Sequence, residues 1–359
     1  MIIDITGFGW SGSGAVHDLL REYDDVHFAS FEDFEFTLLW MVDGIADLEY
    51  KLCDKHCRCY DSEKAIQRFL DLTKKLECTK SFKYKEIFHG EFYSKCKEYI
   101  DDLTQIEFQA RNFDDVMSSS IKEKWYKARK YVLGRVLCNR FVSPIVWKLF
   151  HRNIIPELVK ANKHTIFLSY NPDNFIERTR LFITDLFSYL RVPSDERPII
   201  TDQFFPPDLP ERFFNYVDET VRCIIVRRDP RDLYLLSKYA YHSDIMIPSN
   251  SVDDFILFYK KTIEEASNHN NESIMDINYE ELVYNYDNTV ERIESFLGIH
   301  SHTLKHRFFI PERSIHNTQL FNFYKNCNED VEKIEVALPR SLFPFEKYSN
   351  KMSKRNYVY

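Results

Sequence analysis

Residues 7–14 read GFGWSGSG, four glycines and two serines in eight positions of a chain that has only eight glycines in all. The β-branched run IIDIT at 2–6 precedes them, and Val16, Leu19, Leu20 and Tyr23 follow at helical spacing. A strand, a tight glycine turn and a helix are expected, with main-chain amides of the helix N-terminus gathered at the strand's carboxyl end. The amides of Ser11, Gly12, Ser13 and Gly14, with the two serine hydroxyls, would form an anion nest that small residues let a ligand approach closely. The loop carries no lysine or arginine.

Three ligands suit such a turn. Gly7, Gly9 and Gly12 satisfy G-x-G-x-x-G, and Glu32 lies where a ribose-binding acid is sought, so a nicotinamide-dependent dehydrogenase is one reading. Gly7 and Gly12 also match the glycine spacing of G-x-x-x-x-G-K-[ST], but Ser13 and Gly14 replace the lysine and the magnesium-binding hydroxyl, which argues against triphosphate chemistry. A phosphate ester that needs no magnesium is the third.

Further strand-like runs at 26–30, 165–169, 199–202, 221–226 and 273–277 are each followed by a turn or helical spacing. Alternating strands and helices predict a mainly parallel sheet covered on both faces, with the site beyond the carboxyl ends of the strands. One α/β domain over 1–359 is expected, with a helical insertion at about 50–160. Within that insertion, residues 120–163 hold eleven lysines and arginines against Glu123 and Glu157. They form either a solvated helical face or a cap that draws in an anionic acceptor or a membrane surface.

The net charge of -8 argues against a general nucleic-acid binder, which needs a basic field. No uncharged apolar run is long enough to span a bilayer, and the N-terminus lacks the basic head and apolar core of a signal peptide, so a cytoplasmic protein is expected. Eight cysteines in a chain of 359 residues are expected to be reduced. CDKHCRC at 53–59 brings Cys53, His56, Cys57 and Cys59 together without a second knuckle, so no metal is expected.

The segment VRCIIVRRDPRDLYLLS at 221–237 reads as a buried strand running into Arg227, Arg228 and Arg231, with Asp229 as N-cap and Pro230 in the first helical turn. Together with GFGWSGSGA and INYEELVYNYDNTVERIESFLGI, it resembles the sulfotransferases that use 3′-phosphoadenosine-5′-phosphosulfate (PAPS). The resemblance covers both ends of the chain and not residues 40–160, and it implies a P-loop-type three-layer α/β fold. It implies further that Trp10, Ser11, Gly12, Ser13 and Gly14 hold the 5′-phosphosulfate, and that Arg228 and Ser237 hold the 3′-phosphate. Ser237 lies one residue beyond the family's spacing. PERSIHNTQLF at 311–321 is similar to the C-terminal region of bacterial members and adds Arg313, Ser314 and Asn317 as donors.

ITDQF at 200–204 is similar to carbohydrate-directed bacterial relatives, which implies a carbohydrate or polysaccharide-precursor hydroxyl as acceptor, faced by Asp202 and Gln203. Glu32 and Glu35 are the first candidates for the general base, followed by Asp33 and Asp202. The family places lysine or arginine where this chain has Trp10. The missing charge would come from Arg227 or the 122–163 segment, or the loop would act through amides and hydroxyls alone. A nucleotide-binding protein of the same fold that has lost transfer is the non-enzymatic alternative.

Overall fold

A computed structural model describes residues 1–28, 34–54, 61–110, 164–192, 194–240, 247–266, 269–324 and 326–348. Its strands are β1 (Ile2–Gly7), β2 (His27–Phe28), β3 (Ile106–Ala110), β4 (His164–Leu168), β5 (Ile199–Asp202), β6 (Val221–Arg227) and β7 (Ile274–Asn278). Five of them form one parallel sheet in the order β2-β5-β1-β6-β7, in which Ile2 pairs with both Ile199 and Val221. Numbered within the sheet alone, this order is 2-3-1-4-5, which differs from the 3-2-1-4-5 of dinucleotide-binding sheets.

Every residue of β1 is buried, as expected of a central parallel strand covered on both faces. Ile3 and Ile5, with Ile200, Ile224 and Val226, pack against Val16, Leu19 and Leu20 of the helix Ser13–Leu20 and against Leu282, Ile293 and Leu297 farther along the chain. Ile2, Ile199, Cys223 and Ile225 belong to the opposite face, beneath the helices Asp61–Cys78, Phe92–Leu103 and Phe175–Leu190. Period-two alternation along the strands sends each set of side chains to its own layer.

The insertion is helical at Asp61–Cys78 and Phe92–Leu103, but it also contains a strand that the sequence reading did not place. β3 pairs antiparallel with β4, and this ladder stands apart from the main sheet, so the run at 165–169 does not join the parallel strands as expected. The alternation in IEFQA is too short to distinguish from a helix end by periodicity alone. Glu32, Asp33, His56, Cys57, Cys59 and the basic run 120–163 lie outside the described residues. No helix among the described residues is long and apolar enough to cross a membrane.

One buried carboxyl links the sheet to the site. Asp4 is fully buried in β1. Its Oδ1 accepts from Thr201 Oγ1 at 2.8 Å and from the amide of Phe204 at 3.0 Å, and its Oδ2 accepts from the amide of Phe205 at 2.9 Å. These bonds fix the turn after β5, in which Gln203 is held at φ 57°. Gln203 Oε1 then accepts from Thr6 Oγ1 at 2.9 Å, and its Nε2 donates to the Gly7 carbonyl at 3.3 Å, bracing the start of the glycine loop.

Asp4→Ala would leave two amides buried without acceptors, at about 1–3 kcal/mol each, so a loss of roughly 4 kcal/mol is expected in denaturant unfolding. Burial, only partly offset by the hydrogen bonds, pushes the Asp4 carboxyl up to about 7 from 3.8. Between those values the folded state holds a proton that the unfolded state has lost, so Asp4's contribution to stability falls as pH rises through that window. Asp4→Asn should flatten that slope in unfolding measured from pH 4 to pH 7 (roughly the window above).

Candidate functional site

The glycine loop leaves β1 at Gly7 and turns on the bond from the Ser11 amide to the Phe8 carbonyl, 2.9 Å. Trp10 adopts φ 61° and Gly12 φ 92°, both in the left-handed region. Gly12 has a second reason to be glycine, because a Cβ there would lie 2.6 Å from Tyr279 Cδ2. Ser11 is 3% exposed, and its Oγ is buried with no hydrogen-bond partner. The helix Ser13–Leu20 has no side-chain cap, so the amides of Ser13 and Gly14 lack both intrahelical and capping acceptors.

These residues form one wall of a cavity of about 1090 Å³ at the carboxyl ends of the strands. Trp10, Ser11, Gly12, Ser13 and Gly14 line it together with Glu35, Asp202, Arg228, Arg313, Ser314 and Asn317. Segments far apart in the chain, each singled out in the sequence, therefore meet at one opening. Ser237 is the exception. It is fully buried, its Oγ donates to the Ile247 carbonyl at 3.3 Å, and Leu236 lines the cavity in its place. A one-residue offset turns a helical side chain by about 100°, and that rotation is enough to exchange the two.

Arg228 is 7% exposed and acts as a clamp. Its Nη1 donates to the Trp10 carbonyl at 3.1 Å, its Nη2 donates to the Asn317 carbonyl, and its guanidinium lies 4.6 Å from the centre of the Tyr279 ring. Tyr279 in turn donates its hydroxyl to the Ser314 carbonyl at 3.0 Å. The loop and the segment bearing Arg313, Ser314 and Asn317 are thus held to a common support.

Behind the clamp lies a buried acidic cluster. Asp229 accepts from the amide and guanidinium of Arg231, and Asp232 accepts from the amides of Gln319 at 2.8 Å and Leu320 at 2.7 Å. Glu280 accepts from the amide of Asp229 at 3.0 Å. Burial and the Asp229 charge push Asp232 up to about 7 and Glu280 up to about 8, while the Arg228 charge opposes both shifts. Much of the RDPRD segment therefore holds the C-terminal part of the chain in place.

Across the cavity, Glu35 and Asp202 form an isolated parallel bridge, with the Phe36 amide on the Asp202 carbonyl at 2.9 Å. Glu35 opens to solvent as a residue, while desolvation in the cavity wall raises its carboxyl above the ordinary glutamate value. Trp40 donates Nε1 to the Gln203 carbonyl at 2.9 Å and lines the same wall. Arg227, one expected source of the missing loop charge, is paired with Asp276 at 2.6 Å and does not line the cavity.

The sequence reading missed His17, Arg21, Trp40, Tyr279 and the pair Phe308–Phe309, all of which line the cavity. His17 was accessible in principle, because it lies four residues beyond Ser13 on the same helical face. The Phe308–Phe309 wall was not, since it depends on Glu22, a buried carboxylate that accepts from their amides at 2.8 and 3.0 Å. No protein-family model matches the chain, and no curated protein matches it.

Gly12→Ala should cost about 2–4 kcal/mol, combining left-handed strain with the clash on Tyr279. Gly14→Ala, where an added Cβ meets nothing within 4 Å, should stay within about 0.5 kcal/mol in the same unfolding measurement.

Proposed function

We propose that the protein is a sulfotransferase that moves a sulfuryl group from PAPS to a hydroxyl of a carbohydrate acceptor. The observation that carries this reading is the meeting of the glycine loop, the end of β6 and the 311–317 segment at one cavity. Its volume, about 1090 Å³, suits a nucleotide and part of an acceptor together. The uncapped amides of Ser13 and Gly14 offer donors for a bridging oxygen on which charge builds during transfer.

Charge for the donor's phosphates comes from other segments. Arg313 lines the cavity, is exposed, and pairs with no carboxylate among the described residues. Arg228 brings a guanidinium against the back of the loop at the Trp10 carbonyl. On the opposite side, Trp40 and Phe28 supply flat apolar faces, and Glu35 and Asp202 supply acceptors for sugar hydroxyls. The acceptor oxygen bonds to sulfur as the bond to the bridging oxygen breaks, and 3′,5′-adenosine bisphosphate leaves. Positioning and electrostatic stabilisation carry such a transfer, by analogy with phosphoryl transfer.

A dehydrogenase reading has less support, since the strand order is not that of a dinucleotide sheet. A binding protein without transfer keeps one point in its favour, the uncharged Trp10.

Calorimetric titration should give saturable one-site binding of 3′,5′-adenosine bisphosphate, with NADH and magnesium–ATP much weaker. Arg313→Ala should weaken the bisphosphate tenfold or more, which is about 1.4 kcal/mol. Failure of the folded protein to bind the bisphosphate would sink the proposal, and preferential binding of NADH would restore the dehydrogenase.

A further inference from the structure

The strand order polarises the cavity. β2 and β5 lie on one side of β1 and bring Glu35 and Asp202, while β6 and β7 lie on the other and lead to Arg228 and Tyr279. The helix Ser13–Leu20 rises from the centre, and His17 on it lines the same cavity. Resting on the sulfotransferase reading above, we propose that His17 is the group that takes the acceptor's proton, and that Glu35 and Asp202 hold the acceptor's hydroxyls.

Three placements support this assignment. Ser13 and His17 are separated by one helical turn, so the imidazole projects from the same helical face as the Ser13 side chain, next to the N-terminus where the uncapped amides lie. The His17 ring meets Phe28 edge-on, with centroids 4.9 Å apart and planes at 75°, which restricts its orientation. His17 also shares a small recess with Phe28, Thr201 and Asp202, and so lies beside the carboxyl end of β5 where the acceptor wall begins.

His17 is the only histidine among the described residues that line the cavity. The charged and titratable groups around the opening are Asp18 and Arg21 from its own helix, Tyr23 from the following turn, Glu35 after β2, Asp202 at the end of β5, Arg228 after β6, Tyr279 after β7 and Arg313 farther along the chain. Histidine is the side chain whose charge change falls nearest neutral pH, which suits it to proton transfer there. Ionised carboxylates are weaker bases and better hydrogen-bond acceptors for hydroxyls, which favours dividing the roles in this way.

In the step itself, the acceptor oxygen forms a bond to sulfur, and the bond from sulfur to the bridging oxygen breaks. The electron pair leaves on the bisphosphate, and the acceptor proton moves to a ring nitrogen of His17, which returns it to water after release.

Water can serve as the probe acceptor, so the test needs no identified sugar. Bisphosphate binding by calorimetry and sulfate release from PAPS are measured from pH 5 to pH 9 (roughly the range in which imidazole and raised carboxylates titrate) for the parent, His17→Gln, His17→Asn and Glu35→Gln. Both His17 variants should bind the bisphosphate within about twofold of the parent, melt at the parent temperature, and release sulfate roughly 10²–10⁴-fold more slowly without the parent's acid limb. Glu35→Gln should be slower while keeping that limb. A His17→Gln protein that keeps both rate and limb overturns the assignment, as does a parent that binds the bisphosphate but releases no sulfate above the buffer rate. A parent that does not bind the bisphosphate overturns the sulfotransferase reading first, a distinct result.

Discussion

The guanidinium of Arg228 ties the glycine loop to the segment that closes the cavity from the C-terminal part of the chain. It is almost fully buried, and it spans the carbonyls of Trp10 and Asn317 across residues more than two hundred positions apart in the chain. Its charge also favours the ionised forms of the buried carboxyls of Asp232 and Glu280. Removing one member of such a set leaves uncompensated buried charge, a cost far larger than that of a surface ion pair. Arg228 is therefore a constraint on the fold as well as part of the site. The cavity keeps its shape because the two walls answer to the same buried cation.

The same principle recurs at smaller scale. Asp4 fixes the turn after β5 through the amides of Phe204 and Phe205, and Glu22 fixes the wall at Phe308 and Phe309 through theirs. In each case a buried carboxylate satisfies main-chain donors of a segment that has no regular secondary structure of its own. Such loops would otherwise carry unpaired amides, which is why they are usually found at the surface. Here they are anchored from beneath and present their other faces to the cavity, where a ligand would meet them.

The division of charge across the opening follows from topology. A strand order of β2-β5-β1-β6-β7 places the acidic segments after β2 and β5 on one side of the loop and the arginine-bearing end of β6 on the other. A polyanionic nucleotide and a hydroxyl-bearing acceptor need opposite surroundings, and both are available at one opening. The proton acceptor proposed at His17 lies between them on the helix that leaves the loop.

The sequence by itself determined the strand, turn and helix at 2–20, the later parallel strands and the basic end of β6, because period-two burial and glycine-rich turns are local signals. It also singled out the glycine loop, Glu35, Asp202, Gln203, Arg228, Arg313, Ser314 and Asn317, which line one cavity and come from segments that share no local pattern with one another. It could not place β3 in its antiparallel pair with β4, since a five-residue alternation has no partner in sequence until the chain folds back. Nor could it separate Ser237 from Leu236, because a one-residue helical offset is invisible until a wall exists for the side chain to face. Only the tertiary structure decided that Arg228 is a clamp, that Arg227 is paired with Asp276, and that His17 lines the cavity beside Asp202. The physical reason is the same in each case: local sequence sets backbone conformation, whereas the partner of a buried charge is chosen by whichever distant carbonyl, amide or carboxylate packing brings within hydrogen-bond reach.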